Sequence, residues 1–125
     1  MNTVKLTVPR TLPGLNDYIE AERTNRYKGA AMKRQSEQIV MLAIKKCLRG
    51  VKFTDQVTMF YTFYERDRRR DKDNVRSFAH KVIQDALVKT GVLKNDGWAQ
   101  IADSPGERFE IDKCNPRIEV EISCK

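Results

Sequence analysis

Residues 66–76 read RDRRRDKDNVR. Asp71 and Asp73 stand one residue apart among Arg66, Arg68, Arg69, Arg70, Lys72 and Arg76. One base per acid would suffice for neutralisation, so the two signs are expected to serve different partners. The carboxylates would hold a cation and the bases a polyanion. An N-cap role explains one aspartate but not both. A calcium loop starting at Asp71 would want Gly at its sixth position and Glu at its twelfth, where the chain has Arg76 and Val82. A hard metal held by few carboxylates, with positions left for water and phosphate, describes Mg²⁺ better.

Such a site needs another acid. Asp96, in LKNDGW, lies in the loop after the helix that follows Asp73; Asp85 lies on that helix. At ~100° per residue, Asn74, Lys81 and Asp85 share one side of it. Asp85 also sits four residues after Lys81, the spacing of a plain ion pair, and both readings stay open. The chemistry would be phosphodiester hydrolysis: a metal polarises a phosphate oxygen and acidifies an attacking water. Lys81 would stabilise the charge that builds up. The bases Arg66, Arg68, Arg69, Arg70, Lys72 and Arg76 would grip the nucleic-acid backbone, with affinity falling as salt rises.

The elements that must position these groups are legible in outline. Residues 3–8 alternate, with Val4, Leu6 and Val8 on one side, and predict a half-buried strand ended by Pro9 and Leu-Pro-Gly at 12–14. Residues 15–28 predict a short helical turn capped by Asn16. From about Ala30 to Leu48 the apolar spacing is helical, with Gly50 as its stop. QVTMFYTFYE at 56–65 predicts a long strand leading into the charged stretch. A second helix is expected over about 73–89, with Val75, Ala79, Val82 and Ala86 inward and Gly91 ending it. Two or three strands close the chain, at 98–103, 107–112 and 117–123, separated by Ser-Pro-Gly at 104–106 and Asn-Pro at 115–116. The expected fold class is α+β: a single mixed β-sheet covered by two helices, in the order β-α-β-α-β-β.

Composition narrows the setting. A chain of 125 residues suits one domain spanning 1–125, and it can bury roughly two-thirds of its unfolded surface without staples. Lysine and arginine total 24 against 17 acids, a net charge of +7, which favours phosphate backbones or anionic surfaces. Three widely spaced cysteines and one histidine, His80, argue against a zinc site or a disulfide framework and for the cytosol. No stretch reaches the ~20 apolar residues of a membrane span. His80 is expected at the surface or in a dimer contact, opposite the active side of its helix. Trp98 reads more readily as a core or dimer anchor than as a base-stacking group.

The run RRRDKDNVRSFAHKVIQDALVKTGVLKNDGW resembles the core of the RusA family of Holliday junction resolvases. The pattern is Asp-x-Asp-Asn, a lysine four residues before Asp-Ala-Leu, then Gly and Asp in the next loop. It falls here on Asp71, Asp73, Asn74, Lys81, Asp85 and Asp96. The opening PGLNDYIEAERTNRYKGAAMKRQSE resembles members from phages and prophages of Gram-positive bacteria. The resemblance implies a homodimeric, Mg²⁺-dependent endonuclease that nicks four-way junction DNA symmetrically in recombination and repair, in the cytoplasm of a bacterial host. Asp71, Asp73 and Asp96 would be the metal-binding acids, with Lys81 beside them. The helix is one turn longer here than in the shortest members. Counting forward from Asn74 points to Arg76 or Ser77, but a one-turn insertion preserves facing, so the match is kept on Lys81. Two other classes stand beside this one: a basic DNA-binding protein without catalysis, and a nuclease of flaps or other branched DNA.

Overall fold

The computed structural model describes residues 2–103 and 106–124. The chain runs β1 (Asn2–Val8), α1 (Leu15–Thr24), α2 (Arg26–Cys47), β2 (Val57–Glu65), α3 (Lys72–Lys89), β3 (Glu107–Ile111) and β4 (Arg117–Cys124). It is an α+β fold built on one mixed four-stranded sheet, ordered β1-β4-β2-β3. β4 pairs antiparallel with both β1 and β2, and β2 pairs parallel with β3. Parallel neighbours need a crossover, and α3 supplies it. The strand-to-helix passage at Glu65–Lys72 therefore lies at the end of the central β2.

Alternation decides which face of the sheet is covered. Leu6, Val120 and Tyr61 lie in one row across β1, β4 and β2; Val8, Ile118 and Phe63 lie in the next. All six are buried, as are Val75, Phe78, Ala79, Val82, Ile83, Ala86 and Leu87 of α3. These residues and α2's Val40, Ala43 and Ile44 belong to one apolar cluster. The other sheet face is polar and half-exposed. There Lys5 pairs with Glu119, and the Arg117 guanidinium lies 3.7 Å above the Tyr64 ring.

Three helices are present where two were expected. The 15–28 segment forms the ten-residue α1 rather than a single turn, and α2 starts at Arg26. Asn25 alone separates them. Its backbone is extended, and its side chain accepts from the Lys28 N–H to cap α2. α1 buries only Ala21 fully, so its apolar pattern is thin in sequence. The expected 98–103 strand is replaced by a turn held by the Gln100 and Ile101 N–H groups on the Gly97 carbonyl. Ile101 makes only an isolated bridge to Val57. Of the expected Ser-Pro-Gly break, Ser104 and Pro105 lie outside the described residues.

Two ion pairs fix α2 against α3. The carboxylate of Glu37, 5% exposed, takes the Lys89 ammonium at 2.7 Å, and Lys33 reaches Asp85 at 3.0 Å.

Candidate active site

Asp71 is the N-cap of α3, with extended backbone, and its carboxylate makes no cap hydrogen bond. Asp73 follows in the first turn, its side chain 82% exposed. Both stand at the positive end of the helix, where negative charge is well placed. The chain is extended only as far as Asp71, so the two side chains are spaced by helical rotation rather than by strand alternation. Asp71 lines a pocket at the ends of β2 and β3 with Lys72, Phe109 and Glu110. Asp73 is held by the Arg76 guanidinium.

Arg76 is a strut. Its other nitrogen donates to Glu107 Oε2 at 3.0 Å, and Glu107 Oε1 lies 2.6 Å from His80 Nε2. Although that contact is short, neither of its two atoms makes a hydrogen bond of good geometry, and both are sealed from solvent. Burial lowers the His80 pKa. Glu107 pulls the other way but does not restore it. The imidazole packs on Tyr61, ring centres 4.3 Å apart.

This network leads into a pocket of about 810 Å³ lined by His80, Glu107, Gln84, Gln56, Asp96 and Trp98, among others. Asp73, Arg76, His80 and Gln84 are spaced i, i+3, i+7 and i+11, so they form one face of α3. That face meets the pocket holding Asp96.

The side marked by Asn74, Lys81 and Asp85 has other partners. Asn74 accepts from the Asn16 N–H of α1 at 2.8 Å, and Asp85 is paired to Lys33 of α2 and to Lys81 at 3.2 Å. Burial alone would raise the Asp85 pKa, but the two lysines hold it below the usual carboxylate range. The ion-pair reading of Asp85 therefore describes its geometry, and metal ligation does not. The base beside the acidic pair is Arg76, while Lys81 stays with Asp85. His80, expected on the opposite side, lies on the pocket face. It could have been found from its spacing to Asp73. Glu107 carries no local signal, because only the β2–β3 pairing brings it to α3.

The three aspartates expected to converge do not form one cluster here. Asp71 and Asp73 do not line the pocket that contains Asp96. Among the described residues no three His, Cys, Asp or Glu side chains are gathered to hold a metal ion. The donor chemistry nevertheless fits Mg²⁺, which is commonly held by one or two carboxylates plus substrate phosphate rather than by a full protein cage.

The basic residues divide by direction. Arg70 turns inward: its guanidinium grips both oxygens of Glu65 at 2.9 Å and donates to the Leu12 carbonyl. Glu65 is only 9% exposed, so this pair is structural. Arg66, Arg68 and Arg69 point outward and, with Lys113, line a surface depression. Lys72 lies over the Phe109 ring.

The family model for endodeoxyribonuclease RusA matches residues 10–123. The chain belongs to the RusA family. RusA proteins are endodeoxyribonucleases, which makes DNA the substrate class and phosphodiester cleavage the reaction class. The matched span takes in every element except β1 and the last residue of β4. No curated protein matches the chain. No helix is long and apolar enough to cross a membrane among the described residues.

Proposed function

We propose that the protein is a Mg²⁺-dependent, structure-specific endonuclease that resolves four-way DNA junctions by paired symmetric nicks. The supporting observation is the exposed, uncapped Asp71 carboxylate beside Asp73 at the start of α3, next to an outward arginine loop, in a RusA-family chain. Asp71 and Asp73 would hold the ion together with substrate phosphate. When bound, the ion would polarise the scissile phosphate and supply an activated water.

The chain's own groups do the rest. Arg66, Arg68 and Arg69 hold the phosphate backbone. Arg76, braced by Glu107, holds the Asp73 carboxylate in place. The observed contact favours Arg76 over Lys81 as the base acting next to Asp73. A homodimer supplies two sites related by a two-fold axis, which suits two nicks in strands of like polarity. The setting is recombination and repair in the bacterial cytoplasm, with a phage or prophage origin.

The test is cleavage of a synthetic mobile four-way junction with and without Mg²⁺, compared with three-way and duplex DNA. Symmetric, Mg²⁺-dependent nicks restricted to the four-way junction are expected. Equal cutting of flaps or three-way forms would make it a general branched-DNA nuclease. Binding without cutting under any divalent ion would reject catalysis.

A further inference from the structure

Trp98 is 96% exposed, yet it is rigidly presented. Gln56 donates to its carbonyl at 2.9 Å, the Val57 N–H donates to the Gln100 carbonyl, and the Ala102 N–H donates to the Val57 carbonyl. The 97–101 turn is thus fastened to the start of β2, holding an indole in water. The indole stands at the pocket that contains Asp96, two residues earlier in the same turn.

The pocket's lining limits what can enter. Asp96, Asp103 and Glu107 repel a phosphate. The Gln56 and Gln84 nitrogens already donate, to the Trp98 carbonyl at 2.9 Å and the Tyr61 hydroxyl at 3.5 Å, so the two amides offer a neutral heterocycle's edge their carbonyl oxygens and the remaining N–H of each. A volume of about 810 Å³ is ample for one base. A subunit interface would want other exposed apolar groups around the tryptophan, but Met59 and Tyr61, which line the same pocket, are buried and Ile101 is half-buried. A fully exposed aromatic beside amides suits stacking on a base's π-face.

We infer that Trp98 stacks on an unstacked nucleobase of the branched DNA, next to the cut, and that the base's edge enters the pocket lined by Gln56 and Gln84. This rests on the endonuclease reading. It adds the group that selects for locally opened DNA.

Trp98 is the sole tryptophan, so its emission reports on this one site. The full-length protein is titrated with a four-way junction in EDTA, with binding followed in parallel by the anisotropy of labelled DNA. Emission should be quenched in step with binding to the junction, and far less by duplex. Trp98→Ala should weaken junction binding about five- to a hundred-fold, and Trp98→Phe should recover part of it. Unchanged emission at saturation, with nicking intact, overturns the stacking proposal and leaves the endonuclease reading standing. So does emission that follows protein concentration but not DNA, the mark of a dimer anchor. A protein that neither binds nor nicks branched DNA overturns both.

Discussion

The side-chain oxygen of Asn74 accepts a hydrogen bond from the backbone N–H of Asn16 at 2.8 Å. This bond fastens the start of α1 to the first turn of α3, the turn that carries Asp73. Gly14 permits it: a Cβ there would lie 2.6 Å from Asn74 Oδ1 and 2.8 Å from its Cγ. Gly14→Ala should push the amide away and destabilise the fold by about 1–2 kcal/mol. Urea unfolding checks it. If Asn74→Ala and Gly14→Ala each lower stability and the double variant is no worse than either, the two act through this one bond.

Asp73 has Arg76 for company and no buried structural duty. Asp73→Asn should lower junction nicking by about 10²–10³-fold, as expected when one preorganised charged group is lost. Binding in EDTA should hold or tighten, because a negative charge near DNA is gone. Single-turnover cleavage and anisotropy, run on the same preparation, separate the two effects. Equal loss of both would point to misfolding.

The arginines should divide along the lines of their geometry. Arg69→Ala removes an outward charge whose side chain is 89% exposed. It should leave thermal stability nearly untouched and reduce the slope of log affinity against log salt by about 0.9. Arg70→Ala strands the buried Glu65 carboxylate and should cost about 2–4 kcal/mol of stability. Restoring neutrality with Glu65→Gln in the Arg70→Ala background should recover part of that loss.

Stability should fall with acid in two windows. Burial depresses the folded-state pKa of His80 below its ordinary 6.5. The unfolded chain therefore takes up a proton there first, and stability declines as pH drops below that value. Asp85, held low by Lys33 and Lys81, and Glu119, held low by Lys5 and Arg117, are depressed below ordinary values of 3.8 and 4.5. Their contribution is complete above those values and is lost as pH falls through the folded ones. Thermal melts from pH 7.5 to 3 should show both declines. His80→Gln should flatten the upper window and leave the lower one in place.

The sequence by itself marked most of the local elements and the family. Strands β1, β2 and β4 were legible because residues alternate with the pleat, and α3 because Val75, Ala79, Val82 and Ala86 repeat with the helix. The acid pair and the basic run were visible as neighbours in the chain. Tertiary structure alone decided which partners each side of α3 meets. A helix offers Asn74–Lys81–Asp85 and Asp73–Arg76–His80–Gln84 equally until something packs on it. Lys33 and Asn16 claim the first set, and Glu107, arriving on β3 thirty-one residues after Arg76, claims the second. Likewise nothing in RDRRRD distinguishes Arg70 from its neighbours. The difference comes from a buried carboxylate at the end of β2, because a charge taken from water must find its partner where the fold puts it.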